Sequence, residues 1–308
     1  MKCLVIKSTG SWHTVKAEGG QIYECKLRGN FRTRGIKSTN PVVVGDRVSV
    51  VDSKGTYVID NVYERTNCIV RRSVNLSKKT HVIASNIDQA ILIITMNQPV
   101  TTTAFIDRFL VSANAFGVNV VLLFNKIDLY DLNLLKTHKE YIDMYEKIGY
   151  KCISTSVLNN ELDEIKSVMK NKINIISGHS GVGKSTLINM IQPDLSISTQ
   201  DISLSHNQGQ HTTTFSQLYD MDFGASIIDT PGIKGFGLVE IEKNDICNFF
   251  PEFLNLRSKC KFNNCFHNNE PNCEIKEAVL RNEISESRYK NYLSMYNEDD
   301  NEYRINNY

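Results

Sequence analysis

The sequence predicts a multidomain chain: an N-terminal OB-type β-barrel, a central α/β domain of parallel strands, and a C-terminal α-helical domain built around a metal site. Three observations predict it. Residues 1–72 carry closely spaced β-rich runs separated by Gly turns. From residue 87 strand-like and helix-like patterns alternate, and after residue 242 a Cys/His cluster interrupts a helical tail. The 308 residues, 41% apolar and 22% charged, suffice for two or three domains with at least one sizeable core. The boundaries expected are 1–72 for the barrel, 73–86 for a polar linker, 87–241 for the α/β domain and 242–308 for the helical domain.

In the barrel, "WHTVKAE", "QIYECKLRG", "DRVSVVD" and "TYVIDNVYER" are the strand candidates, punctuated by Gly19-Gly20, Gly29-Asn30, Gly45-Asp46 and Gly55. The length suits five strands. Residues 1–72 hold thirteen Lys and Arg against six Asp and Glu, on a chain whose net charge is only +1. Such a local surplus points to a polyanionic partner, the competing reading being a solvated basic face. In "LRGNFRTRGIK", Arg28, Arg32 and Arg34 surround Phe31, combining charge for phosphates with a flat face for bases.

The start "MKCLVIKSTGSWH" lacks a secretory pattern, and no stretch of about eighteen apolar residues suggests a membrane span. A cytoplasmic protein is expected, with its eight cysteines reduced. Cys3, Cys25, Cys68 and Cys152 are dispersed and read as small buried residues.

The α/β domain opens with the buried strand "DQAILIITM" and the helix "TTAFIDRFLVSANAFG", closed by Gly117. Next come the strand "VNVVLLF", a helix around "LLKTHKEYIDMYEKIG", the strand "KCIST" and the helix "ELDEIKSVMK". The strand "KINIIS" then leads into "GHSGVGKST" and a helix, and the strand "ASIID" follows a long polar stretch. Alternation of this kind implies a parallel sheet covered on both faces.

"GHSGVGKS" fits the phosphate-binding pattern in its required strand–loop–helix context. Residues Gly178, His179, Ser180, Gly181, Val182 and Gly183 form the cradle, whose glycines let backbone N–H groups converge on phosphate oxygens. Lys184 supplies charge to the β- and γ-phosphates, Ser185 a hydroxyl ligand for Mg²⁺, and Thr186 opens the helix. "NKID" (Asn125, Lys126, Ile127, Asp128) follows a buried strand, where a base-reading loop belongs. An ionised Asp128 only accepts hydrogen bonds, which suits the N–H donors on guanine's Watson–Crick edge. Asn125 would brace the loop and Lys126 would cover the base with its stem, while Ser154, Thr155 and Ser156 in "CISTS" resemble a second base loop. "ASIIDTPG" offers Asp229 to Mg²⁺ through water and the Gly232 N–H to the γ-phosphate. In "GQHTTT" one of Thr212, Thr213 or Thr214 could give the second hydroxyl on Mg²⁺, making 193–214 a switch loop. These are GTPase parts with the base reader ahead of the phosphate cradle.

The cluster "CKFNNCFHNNEPNC" holds Cys260, Cys265, His267 and Cys273. Three thiolates and one imidazole make a closed tetrahedral set suited to one structural Zn²⁺. Cys247 falls outside this spacing and reads as packing. In the helical stretch behind it, Arg281, Arg288 and Lys290 are expected to be available to RNA, ahead of a frayed acidic tail.

Taken together, "NPVVVGDRVSV", "NKID", "GHSGVGKST", "GQHTTT", "DTPGIKGFGL" and the Cys/His cluster resemble, over essentially the whole chain, the circularly permuted GTPases of the RsgA (YjeQ) family. The resemblance implies an OB-fold, a permuted P-loop GTPase domain and a zinc-binding helical domain. It also implies binding to the small ribosomal subunit and its rRNA, with slow GTP hydrolysis stimulated there and coupled to late maturation or release. The alternative is an rRNA-binding assembly module that uses GTP only as a conformational ligand. Ile233 follows "DTPG" where Ras-like enzymes carry a water-orienting Gln, so intrinsic hydrolysis is expected to be slow. The family motif makes His211 the candidate water-positioning group, the competing reading being a histidine that packs the switch or meets a partner. Position 181 is Gly where potassium-activated relatives use Asn, so no activating K⁺ is assigned. GTP or GDP with Mg²⁺ is the expected ligand, no membrane association is expected, and the chain is read as a monomer.

Overall fold

The structure, a computed structural model, describes residues 1–28, 41–72, 80–193, 216–229 and 241–298. Strands β1 (Lys2–Ser8), β2 (Trp12–Ala17), β3 (Ile22–Leu27), β4 (Arg47–Ser53) and β5 (Thr56–Val62) run in the order β1-β2-β3-β5-β4, and β4 pairs back onto β1. That closure makes a five-stranded barrel. Alternation drives it: Val5, Val15, Cys25, Val48, Val50 and Ile59 point inward from successive strands and are fully buried. β1 is absent from the strands expected from sequence. Its lysines interrupt the apolar run, and pairing with both β2 and β4 holds it in place.

Residues 73–86 were expected to be a polar linker. Instead, β7 (Thr80–Ser85) lies in that span and pairs antiparallel with β6 (Cys68–Arg72). Its inward residues Val82 and Ala84 are buried, and the short alternation is hard to see among polar neighbours. Asp46 of the barrel, fully buried, accepts hydrogen bonds from Arg65 Nε (2.7 Å) and Ser85 Oγ (2.6 Å). The hairpin is thereby fastened to the barrel by a satisfied polar cluster rather than joined through a free tether.

The α/β portion comprises β8 (Gln89–Ile94), α1 (Thr103–Ala115), β9 (Asn119–Phe124), α2 (Leu132–Lys147), β10 (Lys151–Ser154), α3 (Asp163–Met169), β11 (Ile173–Ser177), α4 (Lys184–Ile191), β12 (Gln217–Asp220) and β13 (Ser226–Asp229). The sheet order is β10-β9-β8-β11-β13-β12, with β12 alone antiparallel. β8 is buried along its whole length, as a central strand covered on both faces must be. One core holds Ile106, Phe109 and Leu110 of α1 with Tyr145 of α2. The other holds Ile165 and Met169 of α3 with Leu187 and Ile191 of α4. The bridge Lys7↔Gln217 joins β1 to β12, so barrel and parallel sheet are continuous.

The C-terminal portion contains a 3₁₀ segment (Lys243–Phe249), α5 (Pro251–Leu254), a 3₁₀ turn (Arg257–Lys259), α6 (Glu274–Leu280) and α7 (Glu286–Asn297). Its core of Phe250, Phe253, Ile275 and Tyr292 takes in Val111 from α1. Arg288 does not face solvent as expected. It is 1% exposed and donates to Asp107 Oδ1 (2.6 Å) and Glu252 Oε1 (2.8 Å), with its guanidinium 4.6 Å from the Phe250 ring centroid. Its apparent place on a polar helical face hid two buried carboxylates that only the fold brings to it. Among the described residues, no helix is long and apolar enough to cross a membrane.

Candidate functional site

Strands β8, β9, β10 and β11 end on the same side of the sheet, and the expected nucleotide loops leave from those ends. Gly178 and Gly183 show why the phosphate loop is glycine-rich. Both have positive φ (146° and 103°). A Cβ at Gly178 would sit 2.6 Å from the Ile93 carbonyl oxygen, and one at Gly183 would sit 2.5 Å from Asn125 Nδ2. Gly183 leads directly into α4, so the N-terminus of that helix faces the loop.

Lys184 Nζ donates to the carbonyls of Gly178 (2.7 Å) and His179 (2.6 Å), curling over the loop it serves. Burial lowers its pKa. The Ser185 hydroxyl makes no hydrogen bond to any described residue, leaving it free to ligate a cation. Val182 is fully buried in the core beneath the loop. The His179 ring lies against Phe105 at the start of α1, centroids 3.9 Å apart, and burial followed by the Lys184 charge lowers its pKa.

Asn125, 2% exposed, is the joint of the site. Its Nδ2 donates to Val182 O in the phosphate loop (2.9 Å), and its Oδ1 accepts from Val157 N after β10 (3.2 Å). Lys126 occupies a left-handed conformation (φ 65°) and extends its ammonium to Gln98 O (2.7 Å) and Gly181 O (2.8 Å). Ile127 N reaches Thr155 O. Asp128 accepts from Ser156 Oγ (2.5 Å), which orients the carboxylate. Thr155 Oγ1 turns to Glu161 O. Ser154 is brought elsewhere: its hydroxyl meets His138 Nε2 of α2 (3.1 Å).

These loops enclose a cavity of about 280 Å³ lined by Asp128, Leu129 and Leu158 on one side and Gly181, Gly183 and Thr186 on the other. Its size suits one planar base. Leu129 and Leu158 were not foreseen, though they are 52% and 75% exposed at its rim. Their only sequence signal is an apolar residue within two positions of the end of each base loop. Tyr130 was also missed; its hydroxyl accepts from Met96 N and donates to Asn125 O, both at 3.1 Å. A larger cleft of about 380 Å³ between α2 and the C-terminal portion brings no phosphate-binding loop together. His211, Thr212, Thr213, Thr214 and Gly232 lie outside the described residues, as does the side chain of Asp229 and most of the run around Phe31.

The donor atoms of Cys260, Cys265, His267 and Cys273 all lie within 4.8 Å of one another, and all four residues are buried. A tetrahedral zinc–thiolate site needs sulfurs about 3.8 Å apart. His267 presents Nδ1 to the cluster, 3.4 Å from Cys273 Sγ and 3.7 Å from Cys260 Sγ. Burial raises the pKa of Cys265 and Cys273, so metal-free thiols would stay protonated and a cation is needed to ionise them. The loop is pinned by Tyr289 Oη donating to His267 O (2.7 Å) and by Glu270 accepting from Phe266 N (2.7 Å) and Asn268 N (2.8 Å). Geometry and chemistry both fit a structural divalent metal.

Comparison with known proteins matches residues 2–57 to the RsgA N-terminal domain and 62–239 to the RsgA GTPase model. The second match alone covers more than half of the chain. The chain belongs to the RsgA GTPase family. Its RsgA relatives include the small ribosomal subunit biogenesis GTPase RsgA of Christiangramia forsetii, 52% identical over 100% of this chain and 99% of that one. That of Flavobacterium psychrophilum is 51% identical over 100% and 96%. Among solved structures, YjeQ from Thermotoga maritima superposes with a TM-score of 0.78 at 36% identity, over 96% of both chains. YloQ, a circularly permuted GTPase, gives 0.75 at 28% identity, over 96% of this chain and 93% of that one. RsgA membership accounts for the order of motifs: the base-reading strand β9 precedes the phosphate-loop strand β11, yet both reach one cavity.

Proposed function

We propose that this chain hydrolyses GTP on the small ribosomal subunit and couples that hydrolysis to late maturation of the subunit or to its own release. One observation carries the reading most directly. Asn125 hydrogen-bonds both the phosphate loop and the segment after β10, so a base reader and a phosphate cradle address one cavity. RsgA relatives named as small ribosomal subunit biogenesis GTPases support the partner.

Asp128, oriented by Ser156, accepts the guanine N–H groups, and Leu129 and Leu158 provide apolar surface for the base. Backbone N–H groups of the phosphate loop and Lys184 neutralise the transferring phosphoryl, and water attacks in line without a covalent intermediate. Mg²⁺, when held by Ser185 with one of Thr212–Thr214 and with Asp229 through water, supplies further charge neutralisation. His211 positions the attacking water. Cys260, Cys265, His267 and Cys273 hold one structural Zn²⁺. The protein works in the cytoplasm as a monomer.

Side-by-side GTP hydrolysis alone, with small subunits and with large subunits tests this. Stimulation by small subunits only is expected. A flat rate in all three would favour the reading in which GTP acts only as a conformational ligand.

A further inference from the structure

The C-terminal portion selects its own RNA-facing surface through the way its cations are used. Arg288 is consumed in the buried cluster with Asp107 and Glu252. Arg281 pairs with Glu274 (2.7 Å) and Glu283 (2.8 Å), Lys290 with Glu286 (2.8 Å), and Lys276 donates to the carbonyls of Asn268 and Glu270. Lys243 lies over the Tyr296 ring at 4.6 Å. What is left sits in one run, "RSKCKFNN" from 257 to 264, which contains no acid. Arg257 there holds only the neutral side chain of Asn248. Lys259 and Lys261 are exposed, and their side-chain ammoniums form neither an ion pair nor a hydrogen bond with any described residue. The charge of Lys259 reaches Glu283, a carboxylate already held by Arg281.

Phe262 adds the second chemistry. It is 39% exposed, and the Lys261 ammonium lies 5.6 Å from its ring centroid. A single exposed Phe is ordinary, but one flanked by uncommitted cations combines a stacking face with phosphate partners. The run is also rigid. Cys260 N bonds Arg257 O (3.1 Å), Lys261 N bonds Asn272 O (3.3 Å), and Cys265 N bonds Phe262 O (3.2 Å). Of the metal-ligand candidates, Cys260 lies within it and Cys265 directly follows it. A surface held this way loses little conformational entropy on binding, so its contacts count more fully toward affinity.

We propose that the Arg257–Phe262 face is an RNA-docking surface, in which Arg257, Lys259 and Lys261 contact backbone phosphates while Phe262 stacks on one unpaired base. It rests on the small-subunit reading above and places that reading's C-terminal contact on the metal loop instead of on α7.

The test uses the full-length, zinc-loaded chain and purified small ribosomal subunits, with binding measured across a salt series. Lys259→Gln/Lys261→Gln should weaken binding and make the slope of log K against log salt shallower by about one to two, since each single-strand phosphate contact contributes about 0.7. Phe262→Ala should weaken binding by roughly five- to a hundredfold with the slope unchanged, and Phe262→Trp should restore it. Zinc content and melting temperature, measured on each variant, separate loss of contact from loss of fold. Folded, zinc-loaded variants that bind like wild type would overturn the surface while leaving the small-subunit reading intact. Wild-type protein that fails to bind small subunits would overturn both. A photo-cross-linking residue at position 262 should capture rRNA, and capture of a ribosomal protein instead would refute the RNA assignment.

Discussion

At the scale of single residues, guanine recognition depends on where a carboxylate's lone pairs point. Asp128 can only accept hydrogen bonds when ionised, and the Ser156 hydroxyl at 2.5 Å fixes its orientation. Asp128→Asn replaces an acceptor oxygen with an N–H₂ donor that faces guanine's donors. GTP affinity should fall by about ten- to a hundredfold, the scale of a lost hydrogen bond to a charged group. Xanthosine triphosphate, which offers a carbonyl at that edge, should gain. Competition binding with both nucleotides checks this, and an unchanged preference would refute the assignment. Ser156→Ala keeps the carboxylate but removes its brace. A smaller loss of about three- to tenfold in GTP affinity is expected by titration calorimetry, with guanine still preferred. Asp128 could be read from its motif. Ser156 was expected to contact the nucleotide itself, and its tie to Asp128 depends on β10 lying beside β9, a contact across 28 positions.

At the scale of elements, legibility followed how local the forces are. α1 could be read because its N-cap, Thr102, accepts from Phe105 N within one turn and its apolar face repeats at helical spacing. The strand–loop–helix around Lys184 could be read for the same reason. β7 and β12 could not: each is short and partly polar, and beside its local partner each is placed by a contact distant in sequence, β12 through Gln217 with Lys7 of β1 and β7 through Ala84 with Val44. The metal loop is intermediate. Its ligand types are visible in the sequence, but what pins the loop (Tyr289, Glu270) is not. Because α6 begins directly after Cys273 and its Ile275 shares a core with Phe253, losing the metal should unravel this portion first. One zinc per chain is expected by elemental analysis. Cys265→Ser should reduce zinc occupancy and make the chain from about residue 243 onward sensitive to limited proteolysis, while the fragment before it survives. Equal protease resistance with and without metal would argue against a structural ion.

At the scale of the whole molecule, the C-terminal portion is held to the α/β sheet by charge buried against α1. Asp107 is fully buried and takes hydrogen bonds from Arg288, Tyr145 Oη (2.9 Å) and Asn291 Nδ2 (2.6 Å). Burial raises its pKa, while Arg288 pulls the other way. Removing one member of such a cluster leaves uncompensated buried charge, typically at a cost of about 3–5 kcal/mol, whereas the intact cluster adds little net stability. Arg288→Ala should therefore destabilise this portion by roughly that amount. Arg288→Met with Asp107→Asn and Glu252→Gln, which removes the charges together, should recover much of it. The loss should be local. Amide exchange should rise in α7 and around Phe250, while β8 and β11, in the middle of the sheet, stay protected. α1 also touches the nucleotide site, since Phe105 packs on His179 two positions before Asp107. One helix thus contacts both the phosphate loop and the C-terminal core. Exchange in α7 should consequently differ between GTP-bound and GDP-bound wild type, and the difference should vanish in Arg288→Ala. A nucleotide-dependent difference that survives in that variant would mean the two regions communicate by a route other than α1.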